Sequence, residues 1–199
     1  MLSKDELLRP LAKIRTDEVV VTCMSVTRPW GRISDHDLDF ASADSAMGHT
    51  ADLALGIALA QPQRRVLCLN GDGSMLMSLG TLATIVEADA RNLVLFVLEN
   101  GAYEITGNQP IPGAGRIDFG GLARAAGFPR VYDLVMATDY EAVLPGLLYK
   151  EGPIFVSVQM ETGQEGPISR SQAEEARYLQ TSLADWSRSF RSALVRSGS

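Results

Sequence analysis

Residues 70–77, "NGDGSMLM", decide how this chain is read: they follow the apolar run "RRVLCL" (64–69) and open the stretch "SMLMSLGTLATIVEADA" (74–90). Asn-Gly and Asp-Gly pairs favour tight hairpin turns, because glycine takes positive φ at no steric cost. A hairpin requires a second short β-rich run. Residues 74–90 instead place Leu76, Leu79, Leu82 and Val86 three or four apart, the spacing of one helical face. The unit is therefore strand, glycine turn, helix. Such a unit aims backbone N–H groups and the positive end of a helix at the space beyond the strand's carboxyl end, where open α/β sheets bind ligands.

Working outward, "EVVVTCM" (18–24), "NLVLFVLE" (92–99) and "PIFVSVQM" (153–160) are almost continuously apolar, as in strands buried on both faces of a parallel sheet. Helical patterns lie between them. "TADLALGIALAQ" (50–61) stops at Pro62, and "TDYEAVLPGLLYK" (138–150) carries Thr138 and Glu141 at capping-box spacing with Pro145 inside. The alternation predicts an α/β three-layer sandwich, an open and mostly parallel sheet with helices on both faces. The 199 residues suit one domain with a substantial core. A looser connector spans 161–170. Ser171 and Glu174 again have capping-box spacing, which predicts a C-terminal helix over 171–195. Its stripe of Ala173, Ala176, Leu179, Leu183, Trp186, Phe190 and Leu194 either packs on its own domain or docks on a partner chain.

Composition narrows the partners. Hydrophobic residues make up 46% and charged residues 21%, as in a soluble globular protein. The net charge of −6 argues against nucleic acid and anionic membrane surfaces, so any bound anion must be held by local geometry or a cation. No apolar run approaches the roughly 20 residues needed to span a bilayer. The N-terminal stretch has no signal-peptide core, and a cytoplasmic location is expected. Cys23 and Cys68 sit in apolar runs and read as buried thiols. A nucleotide-binding module is disfavoured, since no G-x-G-x-x-G follows a strand and no G-K-[ST] loop occurs.

Asp72 sharpens the reading. A carboxylate at a phosphate-binding helix start repels its ligand unless a cation lies between them, and Mg²⁺ takes one or two carboxylates together with phosphate oxygens. A second oxygen ligand is then expected at the end of the next strand. "NLVLFVLENGAY" supplies Asn100, with 26 residues between Gly73 and Asn100, room for one helix and one parallel strand.

"GDGS", 26 intervening residues and an asparagine followed by "GAY" resemble the signature of thiamine diphosphate-dependent enzymes. "SAMGHTADLALGIALA" (45–60) resembles the stretch that carries the hydrophobic wedge under the cofactor. "AYEITGNQP" (102–110) and "GSMLMSLGTLATI" (73–85) look most like sulfopyruvate decarboxylases, and "MGH" (47–49) like phosphonopyruvate decarboxylases.

That resemblance implies Mg²⁺ bound by the side chains of Asp72 and Asn100 and the backbone carbonyl of Ala102. It implies diphosphate donors at Gly73 and Ser74, with Gly71 and Tyr103 flanking the cofactor. Met47 is the implied wedge, and the Ser45 carbonyl an acceptor for the aminopyrimidine. His49, Thr106 and Gln109 are candidate catalytic residues, with Asn108 beside them, whereas His36 reads as structural. Glu99 stands where the family often has Asn or Asp and is expected to face away from the metal. Arg28, in "TRPWGR", is a candidate for the distal anionic group of a substrate.

The same resemblance implies a 2-oxoacid decarboxylase whose activating glutamate belongs to a separate pyrimidine-binding domain. One α/β domain of this length has no room for both. A pyrimidine-binding α-type subunit is therefore the expected partner, the chain is expected to be inactive alone, and self-association in isolation stays open. Alternatives are an acetolactate synthase-like carboligase, a 2-oxoacid oxidoreductase subunit and a non-catalytic cofactor-binding module.

Overall fold

A computed structural model describes residues 1–41 and 47–196. Its strands are β1 (Val19–Thr22), β2 (Asp39–Ala41), β3 (Val66–Gly71), β4 (Leu93–Glu99), β5 (Ala102–Tyr103), β6 (Gln109–Pro110), β7 (Arg130–Leu134) and β8 (Ile154–Gln159). The helices are α1 (Lys4–Ile14), α2 (Met24–Gly31), α3 (Thr50–Ala60), α4 (Asp72–Met77), α5 (Thr81–Glu87), α6 (Phe119–Ala126), α7 (Ala137–Tyr149) and α8 (Leu183–Arg196). Six strands form one sheet in the order β2-β1-β3-β4-β8-β7, every adjacent pair parallel. β5 and β6 make a small antiparallel pair beside it.

The apolar runs explain the centre. Val66, Leu67, Cys68 and Leu69 of β3 and Leu93 through Val97 of β4 are all inaccessible to solvent, as strands covered on both faces must be. The strand order places the site. From β1 the chain steps outward to β2, then returns to the other side of β1 for β3. The order reverses there, and the carboxyl ends of β1 and β3 open a crevice between the connections that diverge from them.

Two strands carry too little apolar sequence to stand out. β2 has three residues, and β7, "RVYDL", is largely accessible; both lie at the sheet's edges. Residues 74–90 form two helices rather than one, because the chain breaks at Ser78–Gly80 between α4 and α5. The capping box expected at Thr138 and Glu141 does not form. Met136 is the N-cap of α7 and makes no side-chain capping bond, and Pro145 is accommodated inside the helix.

The last helix also needs correction. It begins at Leu183, not at residue 171. Glu174 is drawn away from capping by Arg28, whose Nε and Nη2 lie 2.8 and 2.6 Å from its two oxygens. Residues 177–179 make a single 3-10 turn. Ser182 takes over the capping role, its Oγ accepting from Asp185 N at 3.1 Å. Ala176, Leu179, Trp186 and Phe190 of the apolar stripe are buried on this chain's own core, whereas Ala173 is exposed. Trp186 Nε1 donates to the Asp39 carbonyl at 2.8 Å, and Phe190 meets Phe40 edge-on with ring centroids 5.1 Å apart.

Asp39 is thus a junction. Its carboxylate lies 2.6 Å from Arg15 Nη1, with side-chain exposures of 1% and 4%. Burial lowers the Arg15 pKa and the neighbouring Asp39 charge opposes that shift. Removing one partner leaves an uncompensated buried charge. Asp39→Ala is expected to cost about 3–5 kcal/mol by urea denaturation, and a loss under about 1 kcal/mol would contradict this account of the edge.

Candidate functional site

β3 passes into α4 with no spacer: Gly71 is both the last strand residue and the helix N-cap. Gly73 must lack a side chain, since a Cβ there would sit 2.5 Å from the Tyr103 ring and 3.1 Å from Ile111. The turn therefore lets the backbone at Gly73 lie directly against the loop that follows β4.

Asp72, between these glycines, is 2% exposed. Its Oδ1 accepts from Gly73 N at 2.7 Å and its Oδ2 from Gly101 N at 2.7 Å. The second bond joins the carboxyl ends of β3 and β4. Burial raises the Asp72 pKa, and the Gly101 and Gly73 N–H groups pull against that shift. Among the described residues no cationic side chain pairs with this carboxylate, so only amide dipoles meet its charge.

Asn100 ends the neighbouring strand. Its Oδ1 accepts from Ala102 N at 3.1 Å and its Nδ2 donates to Glu104 Oε2 at 3.1 Å. Its own carbonyl accepts from Thr162 Oγ1 at 3.1 Å. On the other flank Gly48, at φ +90°, donates its N–H to Ser74 Oγ at 3.1 Å, and its carbonyl accepts from Ser78 Oγ. These contacts pin the segment bearing Met47 to α4.

The resulting cleft is lined by Met47, Gly71, Asp72, Gly73, Ser74, Asn100, Ala102, Tyr103 and Thr106. Cys23, Met24, Ser25, Glu104 and Ile105 complete the wall. Cys23, Met24 and Ser25 form the N-cap and first residues of α2, directly after β1, and the rule that ligands gather at strand carboxyl ends applies to β1 as well. Glu104 carries no such signal: in sequence it is one loop glutamate among many. Burial pushes the Cys23 thiol up to about 11, so it stays a neutral wall residue.

Other anticipated residues lie elsewhere. His49 is not among the lining residues; its ring is mostly exposed and its Nδ1 lies 2.7 Å from Asp52 Oδ2. Gln109 is likewise outside the lining, though Thr106 Oγ1 donates to its Oε1 at 2.8 Å and its Nε2 donates to the Thr106 carbonyl at 2.8 Å. Ser45 lies outside the described residues. Glu99 is occupied by β8, accepting from Ser157 Oγ and, at 2.7 Å, from Gln159 Nε2; burial raises its pKa. His36 Nδ1 accepts from Leu38 N at 3.1 Å, a local structural contact. Arg28 does not line the cleft. Besides Glu174 it holds the Gly166 and Pro167 carbonyls, at 3.0 and 2.8 Å, and so straps residues 166–174 to α2.

The donor set fits a hard divalent cation with an attached diphosphate. One buried carboxylate, one amide oxygen and a nearby backbone carbonyl match the oxygen ligands Mg²⁺ takes while leaving positions for phosphate. The described residues hold no group of three or more His, Cys, Asp or Glu side chains that could bind a metal ion, so a cation here would rely on Asp72 with amide and carbonyl oxygens. The geometry defines a parallel α/β protein with a ligand-sized cleft at the carboxyl ends of its central strands.

The chain belongs to the thiamine pyrophosphate enzymes: residues 32–158 match the family's C-terminal TPP binding domain. It is 33% identical over 177 residues to the sulfopyruvate decarboxylase subunit beta of Methanothermobacter thermautotrophicus, covering 88% of this chain and 91% of that one. It is 34% identical over 171 residues to the phosphonopyruvate decarboxylase of Streptomyces viridochromogenes, where the match takes in 85% of this chain but only 42% of the relative. The fold is similar to that of the thiamine diphosphate-dependent 4-hydroxybenzoylformate decarboxylase of Rhodococcus jostii RHA1. There the TM-score is 0.67 at 22% identity, over 82% of this chain and 33% of that one. No helix among the described residues is long and apolar enough to cross a membrane.

Two glycines give a paired test of the cleft wall. Gly73→Ala drives a methyl into the Tyr103 ring, whereas Gly80→Ala adds one where nothing lies within 4 Å. Thermal or urea unfolding is expected to show a loss of about 1–3 kcal/mol for the first. The second is expected to stay within about 1 kcal/mol of the parent. Equal behaviour of the two variants would contradict the close approach at Tyr103.

Proposed function

We propose that this chain is the cofactor-binding subunit of a thiamine diphosphate- and Mg²⁺-dependent 2-oxoacid decarboxylase, of the kind acting on sulfopyruvate or phosphonopyruvate, completed by a pyrimidine-binding partner subunit. The observation that carries this reading is the Asp72 carboxylate, buried and uncompensated, bridging the ends of β3 and β4 through Gly101 N. The beta-subunit designation of the Methanothermobacter relative, matched over nearly its whole length, supports a second kind of subunit.

In this proposal the side chains of Asp72 and Asn100 and the Ala102 carbonyl hold Mg²⁺. Gly73 N–H and the Ser74 hydroxyl donate to the diphosphate. Ser74 Oγ already accepts from Gly48 N, which leaves its own proton free to donate. Met47, 37% exposed and unbranched, reaches the cleft as the wedge that bends the cofactor. Gly71 and Tyr103 close the walls, and Met24 and Ile105 make the cavity less hospitable to water. The Ser45 carbonyl is assigned to the aminopyrimidine. Thr106 faces the cleft as a substrate-contacting residue. His49, two residues from Met47, and Gln109, bonded to Thr106, are assigned to its rim toward the substrate or partner. When bound, thiamine diphosphate supplies the electron sink for the loss of CO₂.

Asp72→Asn tests the metal assignment. Changes to groups that only support a metal ligand commonly cost about 10–100-fold in affinity, so loss of the charged ligand is expected to cost at least that in Mg²⁺-dependent cofactor binding by calorimetry. Unchanged binding would refute the assignment. A second measurement addresses assembly. The Mg²⁺- and thiamine diphosphate-loaded chain is expected to turn over no 2-oxoacid until the partner is added, and full turnover by the chain alone would remove the need for one. Aldehyde as the product supports decarboxylation; acyloin would move the chain to the carboligases.

A further inference from the structure

Glu104 makes contacts that neither the cofactor nor the substrate explains. It opens the short 3-10 turn Glu104–Thr106, two residues past Ala102, and its side chain is completely shielded from solvent. Three segments of the chain converge on its carboxylate. Lys4 Nζ, at the start of α1, lies 2.6 Å from Oε1. Glu165 N, in the segment after β8, donates to Oε1 at 2.8 Å. Asn100 Nδ2 donates to Oε2 at 3.1 Å. The covering segment passes so close that a Cβ on Gly163 would stand 2.4 Å from Oε1 and 2.7 Å from Lys4 Nζ.

A buried carboxylate is tolerated only when paired and hydrogen-bonded, and Lys4 and Glu165 N meet that need at Oε1. Among the described residues, Asn100 Nδ2 is the hydrogen-bond partner of Oε2. An asparagine amide has two ends of almost equal shape and opposite character: the oxygen can ligate a cation, and the NH₂ group cannot. The two orientations therefore differ completely for a metal site and scarcely at all for packing. Here both ends are read. Ala102 N–H selects an oxygen on one side and Glu104 Oε2 selects an NH₂ on the other. Reversing the amide would set N–H against N–H and lone pair against lone pair. Gly101 N and Ala102 N, consecutive in the chain, thus gather Asp72 Oδ2 and Asn100 Oδ1.

We propose that Glu104 is a positioning residue, which fixes the end of the Asn100 amide that faces the cation. It rests on the Mg²⁺ assignment given above and extends it to residues that never touch the ion. Lys4 neutralises the carboxylate and keeps its outer oxygen occupied, so Glu104 acts on the metal only through Asn100. The α1 helix and residues 163–165 are tied to the site through the same group.

Polarity exchange tests it. Mn²⁺ binding to the full chain, with thiamine diphosphate and the pyrimidine-binding partner present, can be followed by electron paramagnetic resonance. Glu104→Gln cannot offer oxygen to both Lys4 and Asn100, and is expected to weaken Mn²⁺ binding by about 10–100-fold. Asn100→Asp sets a carboxylate against Oε2 and is expected to weaken binding as well, although it adds a negative oxygen ligand. The double variant Glu104→Gln with Asn100→Asp restores a donor opposite an acceptor. It is expected to regain at least about tenfold over the weaker single variant, the coupling that a shared contact produces.

A merely structural role for Glu104 predicts additive losses. Additive losses, an Asn100→Asp variant that binds Mn²⁺ as tightly as the parent, or a Glu104→Gln variant within about twofold of it would overturn the inference. If Glu104→Gln does not fold, Asn100→Asp and the double variant still decide the matter. An Asp72→Asn control separates the two levels of argument. Loss of Mn²⁺ there with no effect of Glu104→Gln sinks only the positioning role, whereas unchanged binding in Asp72→Asn sinks the cation site and this inference with it.

Discussion

One buried carboxylate organises this molecule. Asp72 sits almost out of water at the junction of β3 and α4, and its two oxygens are held by Gly73 N and by Gly101 N across the sheet. Burying such a group without a cationic partner is unfavourable, and two amide dipoles offset that only in part. The surroundings follow from tolerating it. Gly73 keeps the backbone against Tyr103, Gly101 turns the next strand end inward at φ +72°, and α4 directs its amino end at the same point. In the proposed function a divalent cation would supply the missing counter-charge and a diphosphate would complete its ligands, which makes this costly burial the basis of a binding site.

The central architecture was legible because two simple patterns agreed. Near-continuous apolar runs at β1, β3, β4 and β8 reported burial on both sheet faces, and the glycine–aspartate–glycine turn reported where the chain must bend sharply. What escaped was held by contacts distant in sequence. β2 and β7 exist through pairing with β1 and β8, not through their own composition. Ser171 and Glu174 have the spacing of a capping box. That signature was overruled by Arg28, 146 residues away, which forms a two-point contact with the Glu174 carboxylate that no local rule anticipates.

The site divides along the same line. Asp72 and Asn100 were reached from spacing and secondary structure, Gly71, Gly73 and Ser74 through the family resemblance, and all five line the one cleft. Met24 and Ser25, in the first turn of α2, and Glu104, in a 3-10 turn, complete the cleft; the strand-end rule reaches the first two, and only the fold shows that Glu104 faces inward. Arg28 shows the converse. As a cation in "TRPWGR" it was a candidate for a substrate's anionic group, but in the fold it straps the segment after β8 onto α2.

The position of the cation decides whether Asp72 and Asn100 form a metal site. Crystals of the chain grown with thiamine diphosphate and Mn²⁺ in place of Mg²⁺ locate the ion through its anomalous scattering. The prediction is one strong peak about 2.1–2.3 Å from a side-chain oxygen of each of Asp72 and Asn100, slightly longer than the 2.0–2.1 Å typical of Mg²⁺. A peak held by other residues, or none beside Asp72 when the diphosphate is bound, would contradict it.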